Sequence, residues 1–483
     1  MNTKTRYSRR HLLKQGVMAS TALWSGRRIL GANDDIRVAI IGLGGKGSSH
    51  VKQFSNLAGV RLVALCDVDP QRLAKQVKKV DGAHSETDPR RILDRQDIDA
   101  VVIATPDHWH ALLAVWACQT GRDVYVEKPV SHNILEGRKI IAAGAKYGRI
   151  IQAGTQYRSD VGLKKAADYI RQGHLGKMLW GHVVWYELRG SIGKVAPHTP
   201  EGLDYDLYCG PSEVRPLRRK KLHYDWHWLW STGTGDLGNS GIHAFDLCRW
   251  FAGYKGLPPR AVCLGGRFGV NDAGETPNTQ LTLLDYPEAP ILIENRNLPK
   301  QKGKRALDLF RQVREGIVLQ CEGGYFSGLR GGGSMYDTQG KRIKQFIGDG
   351  GGQHAANFID AVRRRDSAVL NAPIQEGHIS SACCHLGNLS YQLGAPADST
   401  TLQKVMRKCQ QAGPTVEKLE QHLRANGVDL EKEPMTCGPW LTVNEQTEEI
   451  VEVDGANSGA LLEKARQLAH GKYRAPFVMP KEV

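Results

Sequence analysis

Ile36-Arg37-Val38-Ala39-Ile40-Ile41-Gly42-Leu43-Gly44-Gly45-Lys46-Gly47 is the stretch that decides the fold. Its first six residues are mostly apolar and β-branched. The glycines follow at once, and Val51, Phe54, Leu57 and Ala58 then recur at helical spacing. Strand, tight turn and helix are the context that gives G-x-G-x-x-G a meaning. Gly42 allows the sharp turn, Gly44 lets backbone approach a pyrophosphate, and Gly47 lets helix pack on strand. The phosphates then sit at a helix N-terminus. A second apolar run, Val60 to Leu65, leads to Asp67, 20 residues beyond Gly47. An acid at that place accepts hydrogen bonds from the adenosine ribose, and it favours NAD over NADP because a carboxylate repels a 2′-phosphate. Lys46 in the same turn works slightly against that preference.

Outward from this unit the chain alternates. Asp99 to Thr105 reads as a buried strand, Ala111 to Gln119 as a helix closed by Gly121, and Val124 to Val130 as a strand. Asn133 caps the next helix with Glu136 at capping-box spacing, and Arg149 to Ala153 is a further strand. The pattern predicts an α/β fold that opens with a doubly wound parallel sheet of Rossmann type, over residues 33–157. Ligands of such sheets lie at the carboxyl ends of the strands. The expected cofactor residues are therefore Gly42, Leu43, Gly44, Lys46, Gly47 and Asp67, then Thr105, Pro106, His108, His110, Glu127, Lys128 and Gln156. Lys128 has two readings: a desolvated lysine that exchanges a proton with a substrate hydroxyl, or one that only positions the cofactor.

A bridging helix, Asp160 to Arg171, leads into a second region, residues 158–394. Strands are expected at Met178 to Leu188, Ala261 to Phe268, Thr279 to Tyr286, Pro290 to Asn295 and Ile317 to Glu322. Few helices intervene, so its open sheet should be mainly antiparallel. His223 to Trp230 alternates aromatic and polar groups, which suits either a sugar-stacking wall or an aromatic core strand. On one α-helix Asp236, Asn239, His243 and Asp246 share a face. Such a stripe is either solvated or placed for proton transfer. The candidate substrate residues are Tyr157, Arg158, Trp228 and His243. Residues 395–483 form an extension whose helical part is expected at Thr401 to Asn426, with Val416, Leu419 and Leu423 on one side. Trp440-Leu441 and Tyr473 to Val478 are expected to pack back onto the body. The glycine clusters Gly331 to Gly333 and Gly350 to Gly352 read as loops.

Composition narrows the class. The chain has 483 residues, 41% of them hydrophobic, and a formal net charge of +15. Residues 1–32 hold seven basic side chains and no acid, so the remainder carries +8. No nucleic-acid motif accompanies that charge, and Arg218 to Lys221 reads as a solvated loop. Ser8-Arg9-Arg10-His11-Leu12-Leu13-Lys14 matches a twin-arginine export signal, with Leu12 for the usual Phe and a possible cleavage point before Asn33. Residues 1–32 are expected to be this signal, the export machinery a partner, and the location periplasmic or otherwise exported by the twin-arginine pathway. The Gly16 to Trp24 run is too short to span a bilayer, and no integral membrane span is expected. That export route carries folded proteins, which suits a cofactor loaded beforehand and held tightly. Ten cysteines without a C-x-x-C pair read as buried thiols, and no metal site is assigned.

With Gly42-Leu43-Gly44-Gly45-Lys46-Gly47, Thr105-Pro106-Asp107-His108-Trp109-His110, Glu127-Lys128-Pro129 and Ile242-His243-Ala244-Phe245-Asp246 on view, the chain resembles the Gfo/Idh/MocA family. That family includes glucose–fructose oxidoreductase and inositol dehydrogenase. The resemblance runs from Ile36 to about Gly394. Gly235 to Asn239 and Tyr473 to Phe477 resemble its exported branch. It implies a Rossmann domain plus an α/β domain whose open sheet forms a dimer or tetramer interface. It also implies a catalytic Lys128 before a cis proline, and a functional His243. Many members carry an aspartate four residues before that histidine. Here the position is Asn239, which cannot exchange a proton at neutral pH, so Lys128 and His243 act alone or Asp236 substitutes. The expected activity is NAD(P)-dependent oxidation of a hydroxyl on a sugar, polyol or glycoside. The alternatives are a redox-neutral NAD-dependent glycosidase and a binding module without chemistry.

Overall fold

The computed structural model describes residues 35–407, 409–455 and 458–483; the proposed export signal lies outside them. Among the described residues, six parallel strands form the first sheet in the order β3-β2-β1-β4-β5-β6. They are β1 (Ile36–Ile41), β2 (Val60–Cys66), β3 (His84–Glu86), β4 (Ala100–Ile103), β5 (Asp123–Val126) and β6 (Ile151–Ala153). The side chains of β4, β5 and β6 are all buried, as expected of strands covered on both faces. Helix starts are marked by short acceptors. Asp69 accepts from the Gln71 and Arg72 amides, Asp88 from Arg90, and Asn133 from Glu136. The Glu136 carboxylate reaches back one residue further than a capping box requires, to the His132 amide at 2.6 Å.

The helix after β4 begins at Asp107, four residues before the sequence pattern places it, and runs to Gln119. Thr105 to His110 is therefore a helix entry. A 3-10 turn, Gln156–Ser159, and the helix Val161–Arg171 capped by Asp160 lead into the second sheet. The expected strands are there: β7 (Met178–Tyr186), β8 (Arg260–Gly266), β9 (Thr279–Leu284), β10 (Ile291–Arg296) and β11 (Glu315–Cys321). All their pairings are antiparallel except β7 with β10. A meander adds β12 (Gly324–Leu329), β13 (Gly332–Tyr336) and β14 (Arg342–Ile347). Gly332 and Gly333 lie inside β13, contrary to the loop expected there. A Cβ on Gly332 would stand 2.0 Å from the Phe346 carbonyl, so the glycine marks a close strand approach.

One face of this second sheet packs on helices Ile242–Ala252 and Ile374–Leu393 through Phe245, Leu247, Phe251, Ile293, Ile317 and Leu386. The other face of β8, β9 and β10 is covered by the extension, where two helices, Ser399–Met406 and Ala412–Ala425, stand in place of the single one expected over Thr401 to Asn426. Val416, Leu419 and Leu423 are fully buried against Leu281, Leu283 and Leu292. The chain also returns to the first sheet. Helix His354–Arg364 sets Phe358 against Tyr125, Pro373 bridges to Gln152, and Phe477 packs on Trp109. No helix among the described residues is long and apolar enough to cross a membrane.

A buried ion cluster fastens the 3-10 turn to both helices of the second layer. Arg158, 3% exposed, gives two hydrogen bonds to Asp246 at 2.7 and 2.9 Å and pairs with Glu376 at 3.2 Å. Arg249 meets Glu376 at 2.5 Å, and Ser380 donates to Asp246. Burial raises the Glu376 carboxyl, but Arg249 and Arg158 outweigh it and hold the group at about 2. Its contribution to stability is thus complete above the ordinary value of 4.5 and fades as the pH falls toward 2. Glu376→Gln should lower the melting temperature at pH 7, by the equivalent of about 3 kcal/mol or more for a broken buried pair. The gap to the parent should narrow in melts run at successively lower pH below 4.5. A gap independent of pH would contradict this account.

Candidate active site

The glycine turn shapes one end of a cleft of about 390 Å³. Gly42 has φ +88°, and a Cβ there would lie 2.6 Å from the Ala104 carbonyl oxygen. A Cβ on Gly47 would lie 1.8 Å from the Gly42 carbonyl oxygen, so helix Gly45–Ser55 seats on the turn only through glycine. Asp67 holds the turn to the tip of β2. Its two oxygens accept from the Leu43 amide at 2.7 Å and the Asp69 amide at 2.9 Å. Burial raises this carboxyl, while those amides oppose the rise. Gly42, Gly44, Lys46 and Asp67 line the cleft, whereas Leu43 and Gly47 support it from behind.

Further along lie Thr105, Pro106, Asp107 and His110 from the helix entry, Glu127 and Lys128 after β5, and Gln156. The His110 ring sits between the carbonyls of Thr105 and Pro129, at 2.9 and 2.7 Å. Glu127 is buried. It meets His50 at 2.8 Å and Lys46 at 3.6 Å, and their charges overcome burial to hold it well below the usual carboxylate range. Lys46 is thereby committed to Glu127. Lys128 precedes a cis proline and donates from Nζ to the Asn239 carbonyl at 2.5 Å. Burial lowers its pKa from the ordinary lysine value, with Glu127 and Asp107 opposing.

The opposite wall is the Asp236–Asp246 stretch, and here the expected single face is not found. Leu237–Gly241 winds as a π-helix before the α-helix resumes at Ile242. The wider turn shifts the register of side chains around the axis. Asn239 and His243 line the cleft. Asp236 is 1% exposed behind them, held by Asn297 at 2.7 Å and Arg189 at 3.4 Å, and is not part of the cleft wall. Asp246 belongs to the ion cluster. Glycines at 238 and 241 signal this departure. A Cβ on Gly238 would stand 2.1 Å from Thr234 Oγ1, and one on Gly241 would stand 3.0 Å from Asn295. Burial and the Lys128 charge keep the His243 imidazole neutral. The Asn239 amide donates to Ser240 at 3.2 Å.

Four other candidates lie elsewhere. Arg158 is paired in the ion cluster and is not free for substrate. His108, 2% exposed, faces the Tyr208 and Thr232 carbonyls on the far side of the helix entry. Trp228 is 2% exposed under the Arg267 guanidinium, because the 3-10 turn Asp225–Trp228 points it inward. Tyr157 supports the His243 ring at 5.1 Å without lining the cleft. From the segment between β7 and the π-helix, Tyr208, Tyr224 and Trp226 do line it, and Trp109 joins them from the helix entry. His223 in the same segment ties back to Asp69 at 2.8 Å. The alternation in residues 223–230 marked this region, but only the turn decides which rings face inward. Asp107, a further wall residue, stood in the quoted Thr105 to His110 motif without a site role.

The residues present fit a dinucleotide. The turn excludes side chains where a pyrophosphate needs backbone, and Asp67 stands at the ribose position. Thr105 Oγ1, Gln156 Oε1, Asp107 Oδ1 and His243 Nδ1 are buried without a hydrogen-bond partner. Buried polar atoms of this kind await a partner. Gly47→Val should strip the purified protein of dinucleotide while its near-ultraviolet circular dichroism is retained. Full dinucleotide content in that variant would show that the turn does not hold the cofactor.

Residues 36–155 match the family model described as oxidoreductase family, NAD-binding Rossmann fold, and residues 179–282 match the model for its C-terminal α/β domain. A glycosyl hydrolase family 109 protein of Shewanella pealeana is 32% identical over 178 residues, 34% of this chain and 39% of that protein. Alpha-N-acetylgalactosaminidase of Shewanella oneidensis is 29% identical over 35% of this chain and 40% of its own length. Inositol 2-dehydrogenase 4 of Saccharopolyspora erythraea is 31% identical over 31% of this chain and 45% of its own. The matches thus span less than half the length of these curated relatives. Among solved structures, the WlbA dehydrogenase of Bordetella pertussis with NADH and UDP-GlcNAcA has TM-score 0.55 at 20% identity, covering 73% of this chain and 95% of that one. Levoglucosan dehydrogenase with NADH and levoglucosan has TM-score 0.57 at 18% identity, covering 73% and 96%. Residues 36–155 and 179–282 are thus similar to the two domains of the Gfo/Idh/MocA oxidoreductases, and the first stretch is an NAD-binding Rossmann domain.

Proposed function

We propose that the chain oxidises a hydroxyl of a sugar, polyol or glycoside with an NAD that stays in its cleft. The observation that carries this reading is the pairing of Lys128 and His243 on the two walls of one cleft. Bound NAD supplies a hydride acceptor. The chain's own groups supply the rest. Lys128, its pKa lowered by burial, takes the hydroxyl proton on Nζ. The Asn239 carbonyl aims that amine at 2.5 Å. His243, neutral and with Nδ1 free, orients the hydroxyl by a hydrogen bond. Tyr208, Tyr224 and Trp226 exclude water and give apolar faces to a sugar ring. The His223–Asp69 contact at 2.8 Å closes that segment over the ribose end, which supports a retained cofactor.

A second reading is redox-neutral glycoside cleavage, favoured by the similarity to an alpha-N-acetylgalactosaminidase. Product analysis separates the two: one accumulates a keto product, the other releases a reducing sugar without net redox change. The reading extends to export by the twin-arginine route and to a homo-oligomer. Replacing Arg9 and Arg10 with lysine should leave the protein in the cytoplasm of its host, measured by fractionation.

Lys128→Ala is the decisive variant. Incubated with polyols, levoglucosan and aryl glycosides, it should turn over about 10²–10⁴-fold more slowly than the parent. Its dinucleotide content, measured after acid denaturation, should be unchanged. Turnover at the parental rate would remove the proposed role of Lys128, and no turnover by the parent on any of these would favour a binding module.

A further inference from the structure

Oxidation of a hydroxyl releases a proton as well as a hydride, and in a closed cleft that proton needs a resting place. The groups around Lys128 differ sharply in their capacity to provide one. Glu127 is tied to His50 at 2.8 Å and Lys46 at 3.6 Å. Asp236 is tied to Asn297 at 2.7 Å and Arg189 at 3.4 Å. Both stay ionised at neutral pH because their cationic neighbours outweigh burial. The imidazoles of His110, His227 and His243 are lowered, chiefly by burial, and remain neutral. The Cys384 thiol is raised by burial and stays protonated. Asn239 exchanges no proton.

Asp107 is different. It opens helix Asp107–Gln119, lines the same cleft as Lys128, and is 1% exposed. One oxygen accepts from Thr234 Oγ1 at 2.8 Å, while Oδ1 has no partner among the described residues. No arginine is paired with it there. Burial raises its carboxyl to about 7, with Thr234 and Lys128 opposing, so both of its forms are present at neutral pH. A carboxylate oxygen left unsatisfied at this depth is costly unless something donates to it.

We propose that Asp107 is the proton store of the cleft, exchanging a proton with Lys128 Nζ through its unpartnered Oδ1. This rests on the oxidoreductase reading above and identifies a positioning residue for it. The hydroxyl O–H bond breaks and an N–H bond forms on the Lys128 amine. An N–H bond of that ammonium then breaks and an O–H bond forms on Asp107, leaving a neutral carboxyl and a free amine. The return of the proton by the same path serves any step in which a carbonyl is reduced again. Asp107 thereby takes the part that Asn239 cannot.

The test needs no substrate. Dinucleotide-loaded protein is pulsed with acetic anhydride across pH 5 to 11, and acetylation of Lys128 is quantified by peptide mass spectrometry, with Lys255 as an exposed control. Loss of a nearby negative charge should lower the Lys128 midpoint in Asp107→Asn by about one pH unit or more. Asp107→Glu should restore it, and Lys255 should not move. An unshifted Lys128 midpoint in folded Asp107→Asn overturns the proposal. Should Asp107→Asn not fold, the parent decides: coupled groups titrate in two steps, so the Lys128 profile should carry a second inflection near pH 7. A single step there overturns the proposal. A shifted midpoint together with no turnover on any hydroxyl compound would sink the oxidoreductase reading and leave the Lys128–Asp107 pair standing.

Discussion

Where the two sheets meet, charged side chains leave water, and each must find an opposite charge or a hydrogen bond. Removing an ion from water costs several kcal/mol unless a partner offsets it. The molecule answers this almost everywhere by pairing. Arg158 and Arg249 share Asp246 and Glu376, Glu127 takes Lys46 and His50, and Asp236 takes Arg189. These pairs hold the turn after β6, the π-helix and the long helix Ile374–Leu393 in one arrangement. Within the cleft, Lys128 and Asp107 depart from this pattern. Among the described residues Lys128 donates through Nζ to a backbone carbonyl, and Asp107 accepts the Thr234 hydroxyl on one oxygen while Oδ1 has no partner. Incomplete pairing at full burial is what moves a pKa toward neutrality, and such groups gather where chemistry is done.

The same scaffold explains the roof of the cleft. The segment after β7 crosses the nucleotide side and is anchored at several points: His223 on Asp69, the Tyr208 carbonyl on Trp109, and Arg474 of the extension on Asp206. The extension thus contributes twice, by covering one face of the second sheet and by bracing this segment. The proposal of a retained cofactor rests on these contacts, because a dinucleotide beneath the segment would leave more slowly while they hold.

Much of this was legible in local pattern. The glycine turn, Asp67 and the cap at Asn133 are read from spacings shorter than a helix turn or from one β-α-β unit. Strands β8 to β11 fall where the sequence reading expected strands, whereas β12 to β14 were not anticipated. What the pattern missed at the site shares one cause. Arg158, Trp228 and Asp236 have the chemistry of site residues, yet their partners, Asp246, Arg267 and Arg189, come from elsewhere in the chain and turn them inward. Periodicity assumed an α-helix through Asp236 to Asp246, and the π-helix at Leu237–Gly241 rotated the stripe apart.

The sequence by itself determined the Rossmann unit, its preference for NAD and the candidacy of Lys128 and His243, because these depend on backbone conformations that only certain local residues allow. Tertiary structure alone decided which polar groups are left over. A carboxylate becomes a salt bridge or a proton store according to what stands opposite it. That is settled by how two sheets pack, at distances along the chain that no local pattern spans: Asp107 faces Thr234 across 127 positions, and Lys128 faces Asn239 across 111.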